Sequence, residues 1–383
     1  MTERIQSINP QRILWCCNDR SITVAELAAK VGLSESVITN LVQGESGITF
    51  NQLEKIARYF DRGTLFFLEQ DPVIGTQVHT PQFRTITNQK PEASAEVKGL
   101  IERVERQRDL YISLREGLDE SRGPIFQMPD ISGKPLNEIA VMVRAWLNLT
   151  ERNDYKTYRK AVEDRGILVF QSNGYKGRWQ IPKNSPVCSF SLYQETCPVI
   201  VVKKQRFESR QVFSLIHELG HILLHKDSFL DEQTDFYSYR GKERDVNAFA
   251  GLLLVPDSFL ALIDDRTRPA KVNEYDDWLE YYRKNWGVSG EVILRRLYDV
   301  GRLKKDKYEE YRRWRDKIPV DISEGGTRQY RYREPRNIFG DPFVRTVFDA
   351  LNTQKITLAK ASTYLDNLKI KDVHQLEGYY ARL

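Results

Sequence analysis

Histidine is scarce in this 383-residue chain, which holds five, and three of the five fall between positions 217 and 225. Cysteine is no commoner: Cys16, Cys17, Cys188 and Cys197 are all there are, and no pair has C-x-x-C spacing. That excludes a cysteine-built zinc module and a disulfide scaffold, and leaves buried free thiols in a reducing compartment. No apolar run approaches 18 residues, and the first residues are polar with no apolar leader. A soluble, cytoplasmic protein with no membrane partner is expected. The net charge of +5 is too small for a strongly basic nucleic-acid coat protein. Internal repeats are absent, and the length suits two or three domains with a sizeable core.

What is present is organised around Phe213-Ser-Leu-Ile-His-Glu-Leu-Gly-His-Ile-Leu-Leu-His225. His217-Glu218-x-x-His221 sets two imidazoles one helical turn apart on a single face. Tetrahedral zinc uses that arrangement, with two nitrogen ligands from one rigid helix and room for a third ligand and a water. Glu218, beside the first histidine, is placed to take a proton from that water and pass it to a leaving group. The competing reading is a set of satisfied core histidines. The helix is too apolar to bury three of them unpaired.

His225 lies two turns from His217, roughly 12 Å along the axis, so one ion cannot bind both on an unbroken helix. The third ligand must come from a second helix. Lys242 to Pro256 reads as one, ended by Pro256, with Val246, Phe249, Ala250 and Leu253 on one face. An acid in its first turn, Glu243 or Asp245, would complete a two-histidine, one-carboxylate site.

Pro198-Val-Ile-Val-Val, the Phe213–His225 stretch, Asn247-Ala-Phe-Ala and Leu253-Leu-Val-Pro256 together resemble the ImmA/IrrE family of zinc metallopeptidases. The resemblance covers roughly residues 165 to 300. It implies a zincin-like (gluzincin) α+β domain, a bound Zn2+, and peptidase action on a partner repressor. It also selects Glu243 as the third ligand, because the glutamate ligand of thermolysin-like relatives lies four residues before the position of Asn247. Family members often read Glu-Ala-Asn where this chain has Asp245-Val-Asn, so Asp245 stays as the alternative.

Residues 1 to about 70 read as five short helices. Thr23 caps one running through Ala25, Leu27, Ala28 and Val31; Gly32 turns the chain; Ser34 caps the next, and Gly44 ends it. This arrangement resembles the XRE (phage-repressor-like) helix-turn-helix family. The recognition helix would offer DNA Ser34, Ser36, Thr39, Asn40 and Gln43. It holds no Arg or Lys, and Val24 stands where this family usually has a glutamine. A bundle used for dimerisation is the competing reading.

Asp71 to Pro91 reads as a linker. Glu92 to Leu118 carries Val97, Leu100, Val104, Tyr111, Leu114 and Leu118 in a stripe suited to packing or to a homodimer seam. Two helices follow, Leu136–Leu149 and Tyr155–Glu163. Short β-type runs then come at 167–170, 179–181, 188–193 and 199–202. They predict a small twisted antiparallel sheet before the metal helix, with the 188–193 run as the edge that pairs with an extended peptide. Beyond Pro256 the chain is helical and charged. Between Lys304 and Arg345 basic residues predominate, with Tyr330-Arg-Tyr-Arg333 interleaving aromatics and cations.

The expected fold class is multidomain and mainly α, in four parts. These are a helix-turn-helix bundle (1–70), a linker and helical segment (71–150), the metallopeptidase domain (151–305) and a basic helical C-terminal module (306–383). The expected function is a transcriptional regulator carrying a zinc-dependent endopeptidase that cleaves a partner protein such as a repressor. Glu218 is the base, and His217, His221 and Glu243 are the ligands. Asn247 would support the ligand helix, while Tyr237, Tyr239 and Arg240, between the ligand helices, are candidate oxyanion donors. The rival is a DNA-binding regulator or antitoxin-like protein whose metal domain senses or scaffolds without proteolysis.

Overall fold

The structure, a computed structural model, describes residues 4–75, 79–118, 124–173, 177–238, 240–318 and 330–382. It is mostly helical with one small mixed sheet. The chain divides into two compact units, residues 1–106 and 107–383.

The first unit begins with α1 (Pro10–Asp19), α2 (Val24–Val31), α3 (Glu35–Val42) and α4 (Phe50–Phe60). The fifth expected helix is only a 3-10 turn, Thr64–Phe67. Thr23 and Glu26 form a reciprocal capping box that starts α2. Gly32 ends α2 at φ +66°, a left-handed conformation that costs glycine nothing and lets α3 begin three residues later. Ile13, Leu27, Ile38, Leu53 and Ile56 fill the core beneath.

The expected linker contains α5 (Pro81–Gln89), so that reading is corrected. Thr80 caps it, Pro81 sits where its missing N–H costs nothing, and Phe83 and Ile86 are buried. The long helix α6 (Ala95–Gly117) forms where its apolar stripe was expected. Val97, Leu100 and Val104 are buried against their own chain, and Lys98 Nζ donates to Ser21 Oγ at 3.0 Å. Further along, Tyr111 stacks on Phe343. The stripe is therefore buried within the chain itself, the packing role of the two expected for it.

In the second unit, α7 (Leu136–Trp146) and α8 (Tyr155–Glu163) precede a four-stranded sheet of order β1-β3-β2-β4. The strands are β1 (Leu168–Gln171), β2 (Val187–Leu192), β3 (Val199–Val202) and β4 (Phe229–Glu232). β1 pairs parallel with β3 and the other pairs are antiparallel, so the sheet is mixed, not antiparallel. The 179–181 run forms no strand; Trp179 packs edge-on against Phe339 instead. The edge expected at 188–193 is the inner strand β2, and the edge beside the metal helix is β4.

The helix that carries the H-E-x-x-H motif, α9 (Glu208–Gly220), lies on one face of the sheet, with Leu215 and Leu219 in the core that includes Ile200 and Val202. On the other face Phe170 meets Phe339 and Phe343 of α13 (Glu334–Asn352). The tail is therefore part of this unit's core and not a free module. It follows α11 (Gly290–Asp299) and α12 (Lys305–Asp316), and ends with α14 (Leu358–Tyr364) and α15 (Ile370–Tyr380). In the aromatic–basic stretch Arg333 lies over the rings of Tyr330, Tyr332 and Tyr379 at 4.7, 5.2 and 4.5 Å, while Tyr330 and Arg331 stay exposed. Residues 319–329 of the basic region lie outside the described residues.

Candidate metal centre

α9 presents His217 and Glu218 in its last turn, and the helix continues as one π-type turn over His221–His225. Such turns recur at functional sites because they re-aim side chains within a continuous helix. Here His221 Nε2 comes within 3.2 Å of His217 Nε2. The second helix, α10 (Gly241–Leu254), crosses α9 at Gly220. A Cβ on Gly220 would meet Val246 Cγ1 at 2.8 Å and Phe249 Cδ1 at 3.0 Å, so only glycine permits that approach.

The approach carries the first turn of α10 to the histidines. Glu243 Oε2 lies 3.2 Å from His217 Nε2 and 3.5 Å from His221 Nε2. Asp245 is turned away and paired with Arg244 at 2.8 Å. A fourth group arrives from the sheet, where Asp231 Oδ2 lies 3.4 Å from His217 Nε2 and 3.3 Å from His221 Nε2.

The sequence reading missed Asp231, though two signals pointed to it. Asp231 is an acid within a short β-type run, and Ser189 and Ser191 interrupt an apolar strand at every second position. Ser189 pairs with Val202 and Asp231, and Ser191 with Ile200 and Phe229, which puts all six on the face toward α9.

These residues fit a metal ion. Bonds of about 2.0–2.1 Å in a tetrahedron require ligand atoms about 3.3–3.4 Å apart. The five separations given above run from 3.2 to 3.5 Å. Asp231 Oδ2 and Glu243 Oε2 are buried and accept no hydrogen bond, a deficit that a cation would satisfy.

Electrostatics follow from burial and proximity. Burial works against a charge on His217, but Asp231 and Glu243 outweigh it and raise the ring's pKa to about 9. Burial would raise Asp231 and Glu243, yet the two imidazoles hold both carboxyls below their usual values. Glu218 is fully buried, with neither carboxylate oxygen hydrogen-bonded. Burial first, and then the charge of Asp231, push it well above the usual carboxylate range. A group so placed gains by taking up a proton.

Around the centre, Phe229 stacks on His221 at 3.9 Å and Phe236 packs against His217 at 4.8 Å. His225 is outside the cluster, with its Nδ1 3.1 Å from His221 Nδ1. Asn247 Nδ2 donates to the carbonyls of Asp235 at 2.9 Å and Ser238 at 3.3 Å, tying the intervening loop to α10. Tyr237 lies under Arg312, whose guanidinium carbon is 4.3 Å from the ring centroid, and burial lifts its hydroxyl to a pKa of about 12. Arg240 is exposed, and Tyr239 lies outside the described residues. A cavity of about 170 Å³ opens beside Phe213, Phe236, Tyr237 and Asn247.

The recognition-helix candidates belong to the first unit. Ser34, Ser36 and Gln43 are exposed, and Thr39 and Asn40 are half-buried. Ser34 Oγ lies 3.2 Å from Ser36 Oγ and forms no cap bond.

Comparison with known proteins agrees with both halves. Residues 163–298 match the peptidase M78 family, described as the IrrE N-terminal-like domain. Residues 13–62 match the Cro/C1-type helix-turn-helix DNA-binding domain. No curated protein matches. Among solved structures, a Mycobacterium tuberculosis transcriptional regulator aligns with 15% identity and a TM-score of 0.28, over 42% of this chain and 46% of that one. Among the described residues no helix is long and apolar enough to cross a membrane.

Proposed function

We infer that this chain, which joins a Cro/C1-type helix-turn-helix domain to an IrrE N-terminal-like domain, is a DNA-binding regulator with its own zinc endopeptidase. Its substrate would be a partner protein such as a repressor. The observation that carries this reading is the convergence of His217, His221 and Glu243 beside a buried, hydrogen-bond-free Glu218.

His217, His221 and Glu243 would hold the ion. The chemistry a bound zinc supplies is Lewis acidity, which polarises a peptide carbonyl and acidifies water. Glu218 takes the proton of the attacking water and returns it to the departing amine, a role that its raised proton affinity suits. β4, paired only with β2 among the described strands, offers the backbone groups along which an extended peptide adds. The neighbouring cavity is of the order of the ~150 Å³ space that admits a benzene, enough for one apolar side chain of that peptide. Tyr237, on the cavity wall, is the better placed oxyanion donor, since Arg240 faces solvent.

One observation favours the rival reading of a sensing or scaffolding metal domain. Asp231 supplies a fourth protein group, and structural zinc sites fill all four positions with protein. A site without chemistry needs no base, however, and Glu218 is retained at the cost of burying an unpaired carboxyl.

The test is cleavage of repressors encoded beside this protein by the zinc-loaded full chain. Wild type should cut one of them, and Glu218→Gln should bind metal equally but cut about 10²–10⁴-fold more slowly. Glu243→Ala should lose most of the zinc and Asp245→Ala should keep it. Cleavage by Glu218→Gln at the wild-type rate would overturn the mechanism.

A further inference from the structure

We propose that Asp231 is a fourth, displaceable protein ligand: it closes the metal site at rest and gives up its place when a peptide carbonyl docks along β4. The inference rests on the metal reading above and extends it from three ligands to four.

Geometry is the first support. Asp231 Oδ2 is as close to the two imidazole nitrogens, at 3.4 and 3.3 Å, as Glu243 Oε2 is, at 3.2 and 3.5 Å. All four atoms lie within 4.8 Å of one another. Nothing separates Asp231 from Glu243 as a ligand except the element that carries it. Asp231 is also the more buried of the two, at 2% side-chain exposure against 20%. Its Oδ2 accepts no hydrogen bond. A buried carboxylate oxygen in that state is tolerable only against a cation.

The strand explains how the group is delivered. β2 and β4 shift register between Val187 and Ser189, opposite Glu232 and Asp231. Such an irregularity at a sheet edge re-aims a side chain without ending the pairing. On the same face, small hydroxyls stand at Ser189 and Ser191 where larger side chains would crowd Asp231.

The carrier also explains why the ligand can leave. Glu243 is fixed by a helix packed closely at Gly220, whereas Asp231 sits on the edge strand where an extended peptide would add. A docked backbone would bring its carbonyl oxygen into the place Asp231 vacates, and the freed carboxylate would stay beside the bound cation, which would still balance its charge. The exchange breaks one oxygen–metal bond and makes another, with no proton or electron transferred. A site closed by four protein ligands and a retained general base are then two states of one centre.

The experiment uses the full chain loaded with Co2+ or Zn2+ and acetohydroxamate as a small carbonyl-type ligand. Asp231→Asn, which keeps the shape, and Asp231→Ser, which keeps a polar group, are compared with wild type after circular dichroism shows both folded. Both variants should bind Zn2+ at least about tenfold more weakly in chelator competition. Their Co2+ absorption should shift, and acetohydroxamate should bind their Co2+ forms at least about tenfold more tightly than the wild-type form. Unchanged metal affinity, spectrum and hydroxamate affinity in both variants would overturn the proposal and leave the three-ligand reading standing. A wild-type chain that binds neither metal would overturn both.

Discussion

His225 Nδ1 lies 3.1 Å from His221 Nδ1, on the ring nitrogen that does not face the carboxylates. The contact orients the His221 ring, so that Nδ1 faces His225 while Nε2 faces the carboxylates. Helical rise alone keeps His225 from joining His217 at one ion, and the π-type turn makes it the partner of the ligand instead. His225→Ala should therefore retain zinc at saturating metal while its affinity falls about 10–100-fold. His221→Ala should lose the metal outright. Zinc competition with a chromophoric chelator separates the two; equal losses would place His225 among the ligands.

Gly220 sets the distance between the two ligand helices. Gly220→Ala would place a methyl against Val246 and Phe249 and push α10 outward, at a cost of about 1–3 kcal/mol in unfolding free energy. Because Glu243 moves with α10, zinc affinity should fall as well. Denaturant unfolding of the metal-free protein and chelator competition measure the two effects. A stability loss with unchanged zinc affinity would show that Glu243 follows the metal and not the helix.

We propose that the helix-turn-helix would draw its specificity from short polar side chains. α3 has no Arg or Lys, so Ser36, Thr39, Asn40 and Gln43 can read base edges but add little phosphate attraction. Asn40→Ala in the full chain should weaken binding to a selected operator by about 1–3 kcal/mol and leave the salt dependence unchanged. Fluorescence anisotropy over a salt series reads both. A changed slope with unchanged discrimination would assign Asn40 to the backbone.

Periodicity made the helices legible, and the H-E-x-x-H spacing made three residues of the centre legible, because both are local. The sheet was harder. Its parallel pair joins segments separated by β2, and a run such as 179–181 looks like a strand until Trp179 is seen packed on Phe339. Asp231 was missed for the same reason, since nothing local says which helix a strand faces. In α6 the apolar stripe was visible and its partner was not: a stripe records that a face is buried, never by what.

That last point gives a prediction, because the polar side of α6 is buried as well. Glu102 is 5% exposed and meets Arg62 at 2.8 Å, Arg20 at 2.5 Å and His79 Nδ1 at 3.1 Å. His79 Nε2 also meets Asp19 Oδ1 at 2.7 Å. Burial opposes a charge on Glu102, but His79, Arg20 and Arg62 together hold its carboxyl far below the usual range. Burial also opposes a charge on His79, yet its two carboxylates raise its pKa above the usual 6.5. The signs then follow. A lowered carboxyl adds stability above its unfolded-state pKa, near 4.5, and loses it as pH falls toward the folded value. A raised imidazole adds stability below about 6.5 and loses it as pH rises through its folded value. The first unit should be most stable between about pH 5 and 6.5, weakening on both sides. Glu102→Gln leaves two guanidiniums buried without their charge partner, and should cost about 3–5 kcal/mol. The variant should also flatten the acid limb of the stability profile while His79→Gln flattens the alkaline one. Urea unfolding of the full chain from pH 4 to 8, followed by amide hydrogen exchange within residues 10–106, reads this unit separately. An acid limb unchanged in Glu102→Gln would show that another group governs it.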